Sequence, residues 1–299
     1  MDISIIIGTY NRCDSLIKSV QSVILMHVPG GVTWELIVVD NNSTDKTGEM
    51  VGDLRRNTTV DMRYVLEERQ GLSYARNRGI EESKGRIIAF LDDDCIVDPG
   101  WLSRLVDEFH ADPELCGIGG RVELYDERDK PVTIMTSRDR RLFTSAGQLF
   151  SFMHGCNMAF DRKVFEDTGG FDVRLGPGTK ILAAEDADFI YRVYKSGFKM
   201  LYCPELLVYH NHGRRLDAQV VTLLRGYTIG RGAFYSKHIA QGDSVMLKMA
   251  YWELSALLKA VLIGSYGNWT KQKTLNYLRN LFVGCYYYTF FRQGREGML

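Results

Sequence analysis

Short apolar runs alternate with helical stripes through the N-terminal third of the chain. Ile3 to Ile7 (ISIII) predicts a buried strand, and Leu16, Ile17, Val20, Val23 and Ile24 then recur at helical spacing. Glu35 to Asp40 (ELIVVD) predicts a second strand that ends in a carboxylate. The following NSTDKTGEMV offers Ser, Thr and Asp as helix caps. MRYVLEE, from Met62, predicts a third strand, and GLSYARNRGIEESKG a helix that Gly85 terminates. RIIAFLDDD, from Arg86 to Asp94, predicts the fourth strand. Pro99 suits the first turn of the next helix, whose buried face is Trp101, Leu102, Leu105, Val106 and Phe109. Strands separated by single helices predict an α/β fold with a mostly parallel sheet flanked by helices.

The pattern changes after Gly120. RVELY predicts a strand, followed by an Arg- and Asp-rich loop from Asp126 to Arg141. HGCNMAFDRKVFEDTGGFD predicts strand, short helix and glycine turn. LGPGTKILAAED is a Gly/Pro-rich loop into a helix carrying Phe189, Ile190 and Val193, which stops at Gly197. FKMLYCPELLVYHNH is extended and ends in His210 and His212, which on one strand would share a face. From Leu216 onward only helical signals remain. Two domains are expected: residues 1–215, carrying the chemistry, and a helical extension over 216–299.

In open sheets of this kind ligands bind at the carboxyl ends of the strands. Asp40 and the triplet Asp92, Asp93 and Asp94 fall there. Three adjacent carboxylates raise one another's cost of ionisation, so a positive partner is expected among them. On a continuous strand Asp92 and Asp94 share a face, with Asp93 opposite, and two such carboxylates suit Mg²⁺ or Mn²⁺. The plain alternative is an acidic turn capping the Pro99 helix.

Composition narrows the class. The 299 residues are 45% hydrophobic and 25% charged, ordinary for a globular chain. Lys+Arg and Asp+Glu balance at 37 each, which points away from nucleic acid. The six cysteines form no CxxC pair, which disfavours a zinc ribbon or disulfide framework and suggests a reducing compartment. No signal peptide and no uncharged membrane-length span are expected. There is no P-loop motif, and the glycine cluster GIGGR lacks dinucleotide-fold spacing.

SIIIGTYNR, ELIVVDNNSTDKT, GLSYARNRGIEESKGRIIAFLDDDC, GCNMAFDRKVFEDTGGFD and AAEDADFIYRVYKSGFKMLYCPELLVYHNH resemble, in this order, the motifs of family-2 glycosyltransferases. The resemblance covers Asp2 to His212, with Gly8 where the family often has proline. It implies a GT-A fold and an inverting, metal-dependent transfer from a nucleoside diphosphate sugar to an acceptor hydroxyl. By resemblance, Thr9, Tyr10 and Arg12 contact the nucleotide, and Asp40 accepts a base N–H, with helix capping as its alternative. Gly71, Ala75, Arg76 and Asn77 line the donor, and Arg76 either reaches phosphate or is simply solvated. Asp92 and Asp93 lie along the ribose or sugar. The metal, Mn²⁺ or Mg²⁺, falls to Asp94 and Asp92, with His210 or His212 as a further ligand or as structural histidines. Glu185 and Asp186 resemble the acceptor-side acid pair, Asp186 as general base. Asp188 fits a first-turn charge paired with Arg192.

The implied acceptor is a glycan, glycolipid or polyprenyl phosphate. A sugar-phosphate nucleotidyltransferase and a non-catalytic nucleotide-sugar-binding protein remain as alternatives. In the extension, Lys248, Trp252, Ser255 and Lys259 form one polar stripe on an otherwise apolar helix, and residues 264–299 carry five Lys/Arg against one Glu. That composition suits a membrane interface, or else a lid or subunit contact. The expected location is cytoplasmic, with peripheral contact at the inner face of the cytoplasmic membrane.

Overall fold

The computed structural model describes residues 1–263, 265–266 and 269–290. The chain divides into two compact units, one of Met1–Phe171 with Phe189–Leu216, the other of Asp172–Asp188 with Asp217–Leu299. A loop and helix start from mid-chain thus group with the C-terminal helices.

The first unit contains β1 (Ile3–Thr9), α1 (Cys13–Ile24), β2 (Trp34–Asp40), α2 (Thr47–Arg56), β3 (Met62–Leu66) and α3 (Leu72–Glu82). It continues through β4 (Ile87–Asp92), β5 (Cys95–Val97), α4 (Trp101–Ala111), β6 (Leu115–Leu124), β7 (Arg141–Leu142), β8 (Asn157–Asp161) and α5 (Arg162–Thr168). The later part of α6 (Glu185–Lys195) and all of β9 (Lys199–His210) also belong to it. The sheet order is β3-β2-β1-β4-β8-β6-β9-β5, with β7 beside β9. The first four strands are parallel, three of them buried apolar runs and β3 a half-exposed edge strand. The second half is mixed: β8 runs antiparallel to β4 and β6, and β5 and β7 antiparallel to β9. Ile5, Ile6, Ile7, Val38, Val39 and Phe90 form the sheet core, and α1 and α4 bury Leu16, Val20, Trp101 and Leu105 against it.

One glycine assignment changes. Helix α3 ends at Glu82, with Ser83 already extended, before Gly85 is reached. Gly85 instead lies against β1, where a Cβ would sit 2.3 Å from the Ser4 nitrogen. Its N–H donates to Ser4 Oγ at 2.7 Å, and Ser4 in turn donates to the buried Glu35 at 2.6 Å. The GIGGR cluster lies inside β6, not before a helix. Its glycines make room for neighbours: a Cβ on Gly117 would meet the Phe160 ring at 2.8 Å, and one on Gly120 the Leu206 carbonyl at 1.8 Å. Gly120→Ala cannot be relieved by rotating a side chain, because the obstacle is backbone. The expected result is a loss of about 3 kcal/mol of stability, read from the urea midpoint, with Gly147→Ala, which meets only the Ser145 hydroxyl at 3.8 Å, near neutral.

The second unit contains α7 (Asp217–Ala240), α8 (Ser244–Ile263) and α9 (Lys271–Phe290), plus a pair of two-residue strands at 265–266 and 269–270. The extension is therefore not wholly helical. Leu175 and Ile181 of the mid-chain loop pack with Ala233 of α7 and with Tyr287 and Tyr288 of α9. A buried ion cluster joins the same pieces. Lys237 Nζ lies 2.8 Å from Asp172 and 2.8 Å from Asp188, and His238 Nε2 lies 3.0 Å from Asp188. Burial opposes ionisation of Asp172, but Arg174 and Lys237 outweigh it and hold the carboxyl well below the usual range. Asp188 is thus satisfied by α7. Arg192 donates to the carbonyls of Thr168 and Gly170.

Candidate active site at the strand mouths

Register brings the candidate residues together. Thr9 pairs with Asp40 across β1 and β2, and Gly8 pairs with Asp92 across β1 and β4. The loops beyond are locked to each other. Asn11, at φ 52°, receives the Ser43 hydroxyl as acceptor for its N–H at 2.9 Å, and its side-chain oxygen accepts from Thr44 N at 2.7 Å. Asn41 holds the next loop, donating to the carbonyls of Glu67 and Arg69 and accepting the Gly71 N–H. Sequence reasoning passed over these two asparagines. Their signal was an Asn just after a strand end, a residue that tolerates left-handed backbone and bonds locally.

Asp40 is buried; Ser43 N donates to one oxygen at 2.9 Å and the Tyr64 hydroxyl to the other at 2.7 Å. Burial and this bond raise the Tyr64 phenol to about 12. Asp40 does not cap α2, because Asp45 accepts the Thr47 N–H there. Each Asp40 oxygen retains a lone pair for a further donor.

The acidic triplet is not one strand. β4 stops at Asp92, where its pairing with β1 ends, and Asp93 and Asp94 form a turn into β5. The expected alternation of faces therefore fails. Asp92 turns to the buried Arg76, with Oδ1 3.1 Å from Nη2. Asp93 and Asp94 both face Arg12, at 3.1 and 2.7 Å. The Thr9 hydroxyl also donates to Asp93, at 2.8 Å. Burial pushes Asp93 up to about 7, against the pull of Arg12.

Asp94 is the one that meets a histidine. β5 runs antiparallel to β9 and sets Cys95 opposite His210, and the Asn211 N–H donates to the Asp94 carbonyl at 2.8 Å. Asp94 Oδ1 lies 3.1 Å from His210 Nε2 yet is buried without a hydrogen-bond partner of acceptable direction. His210 Nδ1 donates to the Thr133 carbonyl at 3.0 Å, so Nε2 is the nitrogen available to a ligand. Burial works against charge on both groups. Their attraction outweighs it, holding Asp94 low and raising His210 to about 10. One atom each from Asp94, Cys95 and His210 lies within 4.8 Å of the others, all three residues buried. A divalent cation that displaces the Nε2 proton of His210 fits this donor set, because a buried carboxylate oxygen and that imidazole nitrogen face one another while Nδ1 is held by Thr133.

Two expected ligands fall outside that group. Asp92 pairs through Oδ1 with Arg76. His212 lies beyond the end of β9, so it does not alternate with His210 on one strand. Its Nδ1 accepts the Arg214 N–H at 3.0 Å, which leaves the proton on Nε2 and no lone pair there for a metal. Cys95 was missed, and its position directly after the triplet was the only signal.

Among the remaining donor-side candidates, Tyr10 is exposed and Ala75 is buried, 3.3 Å from where a Gly8 Cβ would stand. Gly71 precedes α3 at φ 136°. The Asn77 amide is taken up by Phe171, donating to its carbonyl at 2.9 Å and accepting its N–H at 2.7 Å. In the second unit, Glu185 is buried against Gly176, whose Cβ would lie 2.9 Å from its carboxylate. Asp186 is half-buried and accepts the Ala187 N–H at 2.7 Å.

Comparison with known proteins accords with this arrangement. The family described as Glycosyl transferase family 2 matches residues 4–169, and Glycosyl transferase family group 2 matches residues 87–288. The chain belongs to glycosyl transferase family 2 and is a glycosyltransferase. A glucosyl-dolichyl phosphate glucuronosyltransferase of Haloferax volcanii is 29% identical over 226 residues, covering 70% of this chain and 69% of that protein. Glycosyltransferase AglE of the same organism is 28% identical, over 70% of this chain and 66% of its own length. The chain thus spans about two thirds of these relatives. Among solved structures, S. aureus TarS 1-349 superposes with a TM-score of 0.64 over 95% of this chain and 81% of that one, at 14% identity. The mannosyltransferase PcManGT from Pyrobaculum calidifontis, solved with GDP-Man and Mn²⁺, gives 0.62 over 96% and 87%, at 18% identity. At such identities the likeness speaks to the fold, which is of GT-A type.

Proposed function

We propose that the chain transfers a glycosyl group, with inversion, from a nucleoside diphosphate sugar to a hydroxyl of a lipid-linked glycan. The observation that carries this is the buried Asp94 oxygen facing His210 at the mouth of the parallel strands. Asp94 and His210 would hold Mn²⁺ or Mg²⁺, which supplies charge neutralisation for a departing diphosphate. Thr9, Tyr10, Arg12 and Asp40 receive the nucleotide, while Gly71, Ala75, Arg76, Asp92 and Asp93 border the donor. Asn77 acts through Phe171, fixing the backbone beside Arg76. Asp186 accepts the acceptor's proton, and Glu185, buried against Gly176, positions the turn that carries it. The GDP-Man and Mn²⁺ bound to PcManGT and the UDP-GlcNAc bound to TarS support the donor class. The name of the Haloferax glucuronosyltransferase supports a polyprenyl-phosphate-linked acceptor.

The test is a thermal-shift screen of nucleoside diphosphate sugars with and without Mn²⁺, followed by product analysis. A stabilising donor adds about 2.7 kcal/mol at a hundredfold excess over its Kd. Release of nucleoside diphosphate supports the proposal. Release of pyrophosphate makes the chain a nucleotidyltransferase, and binding without turnover makes it a sensor.

Peripheral contact with the inner face of the cytoplasmic membrane, through α8, belongs to the same proposal. Among the described residues no helix is long and apolar enough to cross a membrane. α8 instead exposes Tyr251, Trp252, Leu258 and Leu262, the last two at 55% and 85%, beside Lys248 and Lys259. This face is richer in apolar groups than the polar stripe expected from sequence. The single acid of α8, Glu253, lies on the opposite side and bonds Arg231 and the hydroxyls of Tyr235 and Tyr277. Arg292 and Arg295 of the basic tail lie outside the described residues. An aromatic and cationic face of this kind binds anionic lipid, each lysine contributing about 1 kcal/mol. The chain is expected to sediment with anionic vesicles at low salt, and Trp252→Ser with Leu262→Ser to release it. A chain that stays in the supernatant makes the helices a lid or a subunit contact.

A further inference from the structure

Cys95 opens β5 directly opposite His210 and is fully buried. Its sulfur, one Asp94 oxygen and one His210 nitrogen lie within 4.8 Å of one another. Bonds of the usual length to a shared cation bring such atoms to roughly 3–4 Å apart, so only small side-chain movements separate this arrangement from a ligand set. Asp94 Oδ1, in a residue 3% exposed and 3.1 Å from His210 Nε2, receives no well-directed hydrogen bond. The neighbouring Cys156 and burial push the Cys95 thiol up, so a bound cation is what would displace its proton.

We propose that the Cys95 thiolate is a third protein ligand of the divalent cation and sets its preference. This rests on the glycosyltransferase reading for the presence of a cation and adds the identity of a ligand to it. Coordination breaks the Cys95 S–H bond and releases the proton to solvent, and the Cys156 thiol is then free to donate to the bound sulfur. An oxygen, nitrogen and sulfur set favours thiophilic ions such as Co²⁺, Zn²⁺ and Cd²⁺ over Mg²⁺, which takes hard oxygen ligands.

The experiment is a cobalt titration of the chelator-stripped full chain, followed by absorption. The parent is expected to develop an intense near-ultraviolet sulfur-to-cobalt band. Cys95→Ser should still bind cobalt through Asp94 and His210 but lose that band, and Cys156→Ser should keep it. The preference for Cd²⁺ over Mg²⁺ should fall at least about tenfold in Cys95→Ser. Cadmium NMR of the unaltered chain, in the sulfur-bonded shift range, gives the same answer without any variant. Cobalt bound by the parent with no sulfur band, or a band that survives Cys95→Ser, removes Cys95 from the site and leaves the glycosyltransferase reading standing. A parent that binds no divalent cation, with or without donor, overturns both.

Discussion

Asp94→Asn is expected to lower Mn²⁺-dependent turnover by roughly 10³-fold, the several kcal/mol by which a metal stabilises developing charge. The substitution preserves shape and removes the charge that faces both Arg12 and His210. Donor with Mn²⁺ should raise the melting temperature of the parent and leave that of the variant where donor alone puts it. Asp93→Asn is the control. Asp93 bonds Thr9 and Arg12 but lies outside the group formed with His210, so its loss should cost far less. Equal effects at the two positions would sink the assignment of Asp94 as the ligand.

The second large effect is at Asp186. Asp186→Asn keeps the hydrogen bond to Ala187 and removes proton-accepting ability near neutral pH. A positioned general base contributes roughly 10²–10⁴-fold, so turnover should fall by that factor with donor affinity unchanged. Glu185→Gln should be milder in turnover and more visible in stability, because Glu185 is buried against Gly176. The measurement is kcat beside donor Kd for both variants. A dead Glu185→Gln with a near-normal Asp186→Asn would exchange their roles.

The parallel half of the sheet was legible because β1, β2 and β4 are buried apolar runs and single helices separate the strands. Thr9, Asp40 and Asp92 could be placed at strand ends for the same reason. What escaped the sequence was set by partners distant along the chain. Three identical residues conceal where β4 stops, since that point is fixed by its pairing with Gly8. The β5–β9 pairing joins residues 95–97 to 208–210 and alone brings Cys95 to His210. Nothing local distinguishes a glycine that accommodates a neighbouring backbone, as Gly120 does, from one in a ligand loop. Asp188 bonds Lys237, on a helix that begins 29 positions later, a partner that no local spacing announces.

The buried Asp172–Lys237–Asp188 cluster decides how this enzyme can be recombined with its relatives. A cut at Leu216 looks natural on the linear map, yet it strips Lys237 and His238 from two buried carboxylates and uncovers Leu175 and Ile181. Breaking such a pair costs about 3–5 kcal/mol, enough to consume much of an ordinary domain's stability. A chimera that exchanges only the tail would inherit the same mismatch. The transferable module is discontinuous: residues 172–188 must travel with 217–290, and the turn bearing Asp186 travels inside it.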